Sequence, residues 1–271
     1  MAHQPNATTM NTAVDIPIWQ MVLCYLLLLI PLGIAWYLRL GIVQRMLWSV
    51  LRMTIQLTAV GVALIYVFRW DNNWVNIAWV LVAIGFASFS AIQSSGLRLR
   101  SFLLPVFVAL LLSAGAILLF FNWVLLDLDN VFSAQYLIII GGMLLGNALK
   151  GIIIGISDFY RAVHEQRDRY RYHLAAGANQ MEALIPFFRD GLKAALNPTI
   201  ASMATMGIVF LPGMMTGQII GGSSPDTAIR YQLAIMIVIF VCITLSVVLA
   251  ILFSVRSSFD GYGNLRESFI K

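Results

Sequence analysis

Few residues in this 271-residue chain have the types and spacing needed for chemistry. His164-Glu165 opens a run like the zinc-protease pattern HExxH, but Asp168 stands where the second histidine belongs, so the ligand pair is missing. No GxSxG nucleophile turn occurs. Nor is there a GxxxxGK run ending in Ser or Thr, so the chain has no backbone cradle for nucleotide phosphates. It is not expected to be an enzyme, and any energy it uses must come from a partner or an ion gradient. What remains are isolated polar or soft groups in apolar runs: Lys150, Asn147, Asn197 and Gln218, and the thioethers of Met203, Met206, Met214 and Met215.

The elements that must position these groups are set by composition. Apolar residues make up 60% and charged residues 11%, against roughly 25% charged in a soluble domain. Mean hydropathy is +0.86. Such a surface must face lipid. A hydrocarbon core of about 30 Å needs about 20 helical residues. Seven stretches qualify: Ile16–Leu38, Met46–Phe68, Trp74–Ser95, Phe102–Leu126, Ser133–Ser157, one starting at Ala194, and Ile229–Val255. The expected fold is an all-α integral membrane protein of about seven transmembrane helices, a single transmembrane domain over residues 1–271. Cys24 and Cys242 fall in apolar runs and read as small buried or lipid-facing residues, not a disulfide framework.

Orientation follows from Lys and Arg. With Met1 outside, the inner segments hold 14 of the 17 basic residues, from Arg39 and Arg45 to Arg256, Arg266 and Lys271. The outer segments hold Arg69 and Arg230 beside Asp15, Asp71, Asp127, Asp129 and Asp226. This positive-inside bias predicts N-out and C-in, and explains the net charge of +5 without nucleic acid. Met1–Val14 has no Lys or Arg, so no cleaved secretory signal is expected.

The sixth stretch is uncharged from Ala194 to Pro225, too long for one straight span. Pro212-Gly213 is expected to end its helix, leaving Met214 to Ser224 as an outer loop or a short re-entrant segment. The last helix then starts with Ser224 as cap and Pro225 at its first position, with Asp226 placed to pair with Arg230. In the fifth stretch Gly142 and Gly146, and again Gly151 and Gly155, have small-xxx-small spacing, which suits either packing within the chain or a dimer or pathway face.

All twelve Asp and Glu lie outside the spans or at their ends, which argues against an ion-coupled carrier and against a multi-carboxylate site for a hard cation. Lys150 lies 17 residues after Ser133, about 25 Å along a helix. There it can snorkel to the inner headgroups or face a pathway, where it would favour an anion or chelate over a bare metal ion. Asn147, Asn197 and Gln218 either satisfy one another across helices or line the path. The methionines either fill gaps or offer soft ligands suited to Cu(I) more than iron. The translocation path and gate are assigned to Asn147, Lys150, Met206, Pro212, Gly213, Met214, Met215 and Gln218, with no metal ligand set identified.

Residues 158–193 form the one substantial cytoplasmic segment. DFYRAVHEQRDRYRYHLAA reads as a solvated helix extending the fifth span; Gly177 fits a helix C-cap. Asn179 with Glu182 resembles a capping box opening a second helix, which Pro186 would bend. Ala183, Leu184, Phe187 and Phe188 give that helix an apolar side, as helix-in-groove docking on a soluble partner requires. The alternative is a plain connecting loop.

The runs GGMLLGNALKG (Gly141–Gly151), LAAGAN (Leu174–Asn179), RDGLKAALNPTI (Arg189–Ile200), LPGMMTGQIIGG (Leu211–Gly222) and SPDTAIRYQLAIM (Ser224–Met236) closely resemble the FetB-type ABC transporter permeases. These are implicated in iron export and grouped with plant half-transporters linked to aluminium tolerance. The resemblance covers roughly residues 40 to 255 and is tightest from Gly141 to Met236. It implies a homodimeric permease in the cell inner membrane, bound to a separate ABC ATPase that carries ATP and Mg, with no cofactor in this chain. It also implies that Leu174, Ala176, Gly177, Ala178, Asn179 and Glu182 form the ATPase-coupling element. One departure stands out. Related loops carry an acidic residue just before the turn, whereas here nothing acidic lies between Asp168 and Gly177, and Tyr172-His173 occupy the place. The expected function is ATP-driven export of iron or another metal ion or chelate. The rivals are a secondary transporter of a small anion and a non-transporting membrane scaffold.

Overall fold

The computed structural model describes residues 16–260. The polar start, Asp15, and the C-terminal Arg266 and Lys271 lie outside the described residues. Among the described residues ten α-helices account for the fold, and there is no strand, only one isolated bridge between Met206 and Phe210. Among the described residues, six helical stretches are long and apolar enough to cross a membrane. The chain is a multi-pass membrane protein.

By contacts the chain forms two compact units. The first runs up to Trp70 and includes Thr216–Ala228. Its opening stretch, expected as one helix, is two: α1 (Ile18–Leu26) and α2 (Leu29–Tyr37). Pro31 has no N–H to return to the Leu27 carbonyl, so the ladder breaks there, and the Ile30 N–H takes that carbonyl at 3.2 Å instead. α2 packs on α3 (Val43–Trp70), and Tyr25 and Thr54 share a hydrogen bond of 2.8 Å between their hydroxyls. α3 buries only Val67 of its 28 residues. Its solvent is hydrocarbon, not water.

The second unit comprises Asp71–Met215 and the chain from Ile229 onward, and it holds the core. α4 (Asn73–Ser94) and α5 (Leu99–Phe120, closed by a π turn at Phe121–Leu125) pack on each other and on α6 (Ala134–Glu165). At 32 residues, α6 is about 48 Å long. That exceeds the hydrocarbon core by more than half, so its charged last turns emerge from the membrane. The Ser133 side chain does not cap α6. Asp71 does: its Oδ1 accepts from the Ala134 N–H at 2.8 Å and from Asn76 Nδ2 at 3.1 Å.

After α6 come α7 (Arg167–Ala175) and α8 (Gln180–Thr205). The sixth stretch departs from expectation. Its helix stops at Thr205, seven residues before Pro212, where Gly207 takes a left-handed φ of 83° and its N–H closes a turn on the Phe210 carbonyl at 2.9 Å. Pro212 precedes a new helix, α9 (Gly213–Ile220), as proline suits the entry to a helix better than its interior. α10 (Pro225–Ser258) starts as expected, with Ser224 Oγ accepting from the Thr227 N–H.

The two glycine pairs of α6 have separate fates. A Cβ on Gly151 would lie 2.5 Å from Ile243 Cγ2, and one on Gly155 would lie 2.7 Å from Val247 Cγ1, so these glycines admit α10. Around Gly142 and Gly146 a Cβ would meet nothing within 4 Å. Cys242 is buried on α10 beside Ser246, while Cys24 is exposed.

Candidate functional site

One cavity of about 570 Å³ gathers most of the residues singled out from sequence. α6 supplies Met143, Asn147, Lys150, Gly151 and Ile154; α8 supplies Ala195, Pro198, Thr199 and Ser202. The irregular stretch after α8 adds Met206, Phe210 and Pro212, followed by Gly213 and Met214, and α10 adds Gln232, Ile235, Met236 and Ile239. The helical repeat explains the α6 contribution: residues 143, 147, 150 and 154 recur at spacings of three and four and share one face. Of the eight path residues assigned from sequence, Asn147, Lys150, Met206, Pro212, Gly213 and Met214 line this cavity. Met215 is buried instead. Gln218 belongs to the other unit, where its Oε1 is buried without a partner. Met203 and Asn197 are exposed and do not line it.

Lys150 therefore sits on a cavity wall, with its side chain exposed. Asn147 does not pair across helices; its Nδ2 donates to the Met143 carbonyl of its own helix at 2.8 Å. The residue that sequence reasoning missed is Gln232. It is 93% buried, its Nε2 faces Met206 Sδ at 3.9 Å, and its Oε1 has no hydrogen-bond partner. An unpaired buried amide oxygen costs about 1–3 kcal/mol, which a ligand donor would recover. No carboxylate lines the cavity. Among the described residues no three His, Cys, Asp or Glu side chains come together to hold a metal.

The second feature is the turn between α7 and α8. The Ala178 N–H donates to the His173 carbonyl at 3.1 Å and the Gly177 N–H to the Leu174 carbonyl at 3.0 Å, with Gly177 at φ 96°. That is a Schellman close, and it needs the left-handed residue glycine supplies. Asn179 Oδ1 accepts from the Glu182 N–H and Glu182 Oε2 from the Asn179 N–H, both at 2.9 Å. The expected capping box is present.

The expected docking side is corrected. Ala183, Leu184 and Phe187 are buried in their own unit. Phe187 stacks edge-on to Tyr170 at 6.5 Å and under the Arg169 guanidinium at 5.9 Å, holding α7 against α8. Tyr170 also meets Phe259 at 5.9 Å; burial first, then the Asp260 carboxylate, hold its phenol above the ordinary value. The apolar side chains left exposed around the turn are Tyr172, Met181 and Ile185, with Ala175 and Ala176 beside Gly177. An amphipathic helix on a folded body turns its apolar stripe inward, so the strongest apolar positions were the wrong candidates for a partner.

The profile of an uncharacterised protein family, UPF0014, matches residues 18–259. The chain belongs to this family. A probable iron export permease protein FetB from Escherichia coli is 30% identical over 251 residues, 93% of this chain and 95% of its own length. The protein ALUMINUM SENSITIVE 3 of Arabidopsis thaliana is 33% identical over 71% of this chain and 69% of its own. The UPF0014 membrane protein STAR2 of Oryza sativa subsp. japonica is 30% identical over 85% of this chain and 79% of its own. No solved structure matches the chain. The UPF0014 match takes in the whole cavity and the whole α7–α8 turn.

Proposed function

We propose that this UPF0014 member is the membrane-spanning permease subunit of an ABC transporter, a homodimer joined to two copies of a separate ATPase subunit that carries ATP and Mg. It would reside in a bacterial cytoplasmic membrane, N-terminus outside and C-terminus inside, with the α7–α8 turn facing the ATPase. The cargo is a metal, iron by analogy with the name of the Escherichia coli relative, and the direction is export.

The observation that carries this reading is the continuity of α8. One helix starts at the capped turn, at Gln180, and runs unbroken to the cavity wall at Pro198, Thr199 and Ser202. Its 26 residues span about 39 Å. A push at Gly177 is therefore carried to the cavity along one continuous helix, with no loop between the two. Exposed Tyr172, Met181 and Ile185 offer the anchors that a groove on the motor requires. The open glycines Gly142 and Gly146 give a face on which a second copy can approach closely.

Reconstituted vesicles test it. The chain with its ATPase should move radioiron only when ATP is hydrolysed. Flux driven by a proton gradient without ATPase would mark a secondary transporter, and absence of flux under either condition would mark a scaffold.

A further inference from the structure

The cavity is chemically lopsided. Its single charged lining residue is the cation Lys150, it has no carboxylate, and its buried Gln232 Oε1 lacks a donor. Hard cations such as ferric ion, magnesium or calcium are held by several oxygen anions. An ammonium in a carboxylate-free cavity repels them. The four lining thioethers, Met143, Met206, Met214 and Met236, are soft and make poor ligands for iron already held by oxygen.

Resting on the reading of this cavity as the transport path, we infer that it binds its metal only as an anionic complex with a small hydroxycarboxylate. A free carboxylate of the complex pairs with Lys150 Nζ. A hydroxyl donates to Gln232 Oε1, supplying the hydrogen bond that the protein itself leaves unmade. The thioethers and Ile235 wall the complex off from water without competing for the metal. A volume of about 570 Å³ admits a molecule of this class with its ion.

The test uses the full chain in nanodiscs, without ATPase or ATP, and measures equilibrium binding of radiolabelled citrate, ferric citrate, bare ferrous ion and silver ion as a Cu(I) surrogate. Citrate and ferric citrate should bind saturably and compete, and the bare ions should not bind in the cavity. Lys150→Gln should weaken citrate by on the order of 10- to 100-fold, what a charged hydrogen bond is worth, and Lys150→Arg should retain it. Gln232→Leu should weaken citrate more than it weakens the hydroxyl-free analogue tricarballylate, so a general packing defect is recognised by equal loss of both. Ferrous or silver binding without citrate binding overturns the inference, as does wild-type citrate affinity in Lys150→Gln. Citrate binding with no ATP-driven flux would sink the transporter reading and leave this one standing. ATP-driven iron flux that citrate neither accompanies nor inhibits would do the reverse.

Discussion

Gly155 and Gly191 meet backbone to backbone where α6 and α8 cross: a Cβ on Gly191 would stand 2.8 Å from the Gly155 carbonyl oxygen and 3.2 Å from Phe159 Cβ. Neither helix has a flexible side chain there to give way. The contact lies on α8 between Pro186 and Pro198, each of which removes one rung of the hydrogen-bond ladder. α8 is thus pinned at one point and softened on either side of it, between the turn at Gly177 and the cavity.

Gly191→Ala should therefore be costly. Overpacking at a close backbone contact destabilises by about 1–3 kcal/mol, read as a lower melting temperature of the purified protein in detergent. Gly146→Ala, with nothing within 4 Å of the new methyl group, should leave that temperature unchanged or raise it slightly, since alanine is the better helix former. Equal melting temperatures for the two variants would show that the Gly155–Gly191 contact is not close-packed.

Asp71 adopts φ 35° and its Oδ1 holds both the first N–H of α6 and the amide of buried Asn76. Asp71→Ala leaves a helix end uncapped and loosens Asn76, so a loss of about 1–2 kcal/mol is expected. Asp71→Asn keeps an acceptor oxygen and should lose less. Thermal unfolding of the two variants side by side checks this, and a full loss in Asp71→Asn would show that charge, not the cap, matters.

How far the sequence could carry these arguments differs by element. The apolar runs placed α3, α4, α5 and α10, and the start of α6, within a few residues, because a helix in lipid needs little beyond length and hydrophobicity, whereas α6 continues to Glu165, past the expected span end at Ser157. The breaks were harder. Pro31 was a visible signal for the α1–α2 interruption, hidden only by the uniform hydrophobicity around it. In the sixth stretch the stop came from Gly207 in a left-handed conformation, while Pro212 served the next helix's entry. Asn147, Lys150 and Met206 could be suspected as polar or soft groups in apolar runs. Gln232 could not, since its distinction is an oxygen that tertiary packing leaves without a donor. For Ala183, Leu184 and Phe187 the apolar pattern was real but turned toward the core.

If Gly142 and Gly146 form the seam between two copies, a cysteine at either position should be cross-linked across the dimer by a short bismaleimide in native membranes, with the native Cys24 and Cys242 replaced by serine and alanine. Cysteine at Gly155, whose Cβ would be occupied by Val247 and Ala195, should not cross-link. Monomer in all three variants would remove this face from the interface.

The central claim is that a motor acts on the cavity through the bend at Gly177, and its most direct measurement is ATP turnover and radioiron flux recorded together in vesicles holding the chain and its ATPase. Gly177→Val forces a β-branched residue into a left-handed φ of 96°, at a cost of about 1–2 kcal/mol, without touching any residue of the cavity. The account predicts that the variant inserts and assembles, that ATP turnover continues, and that flux falls at least tenfold. Normal flux per ATP in that variant would contradict it.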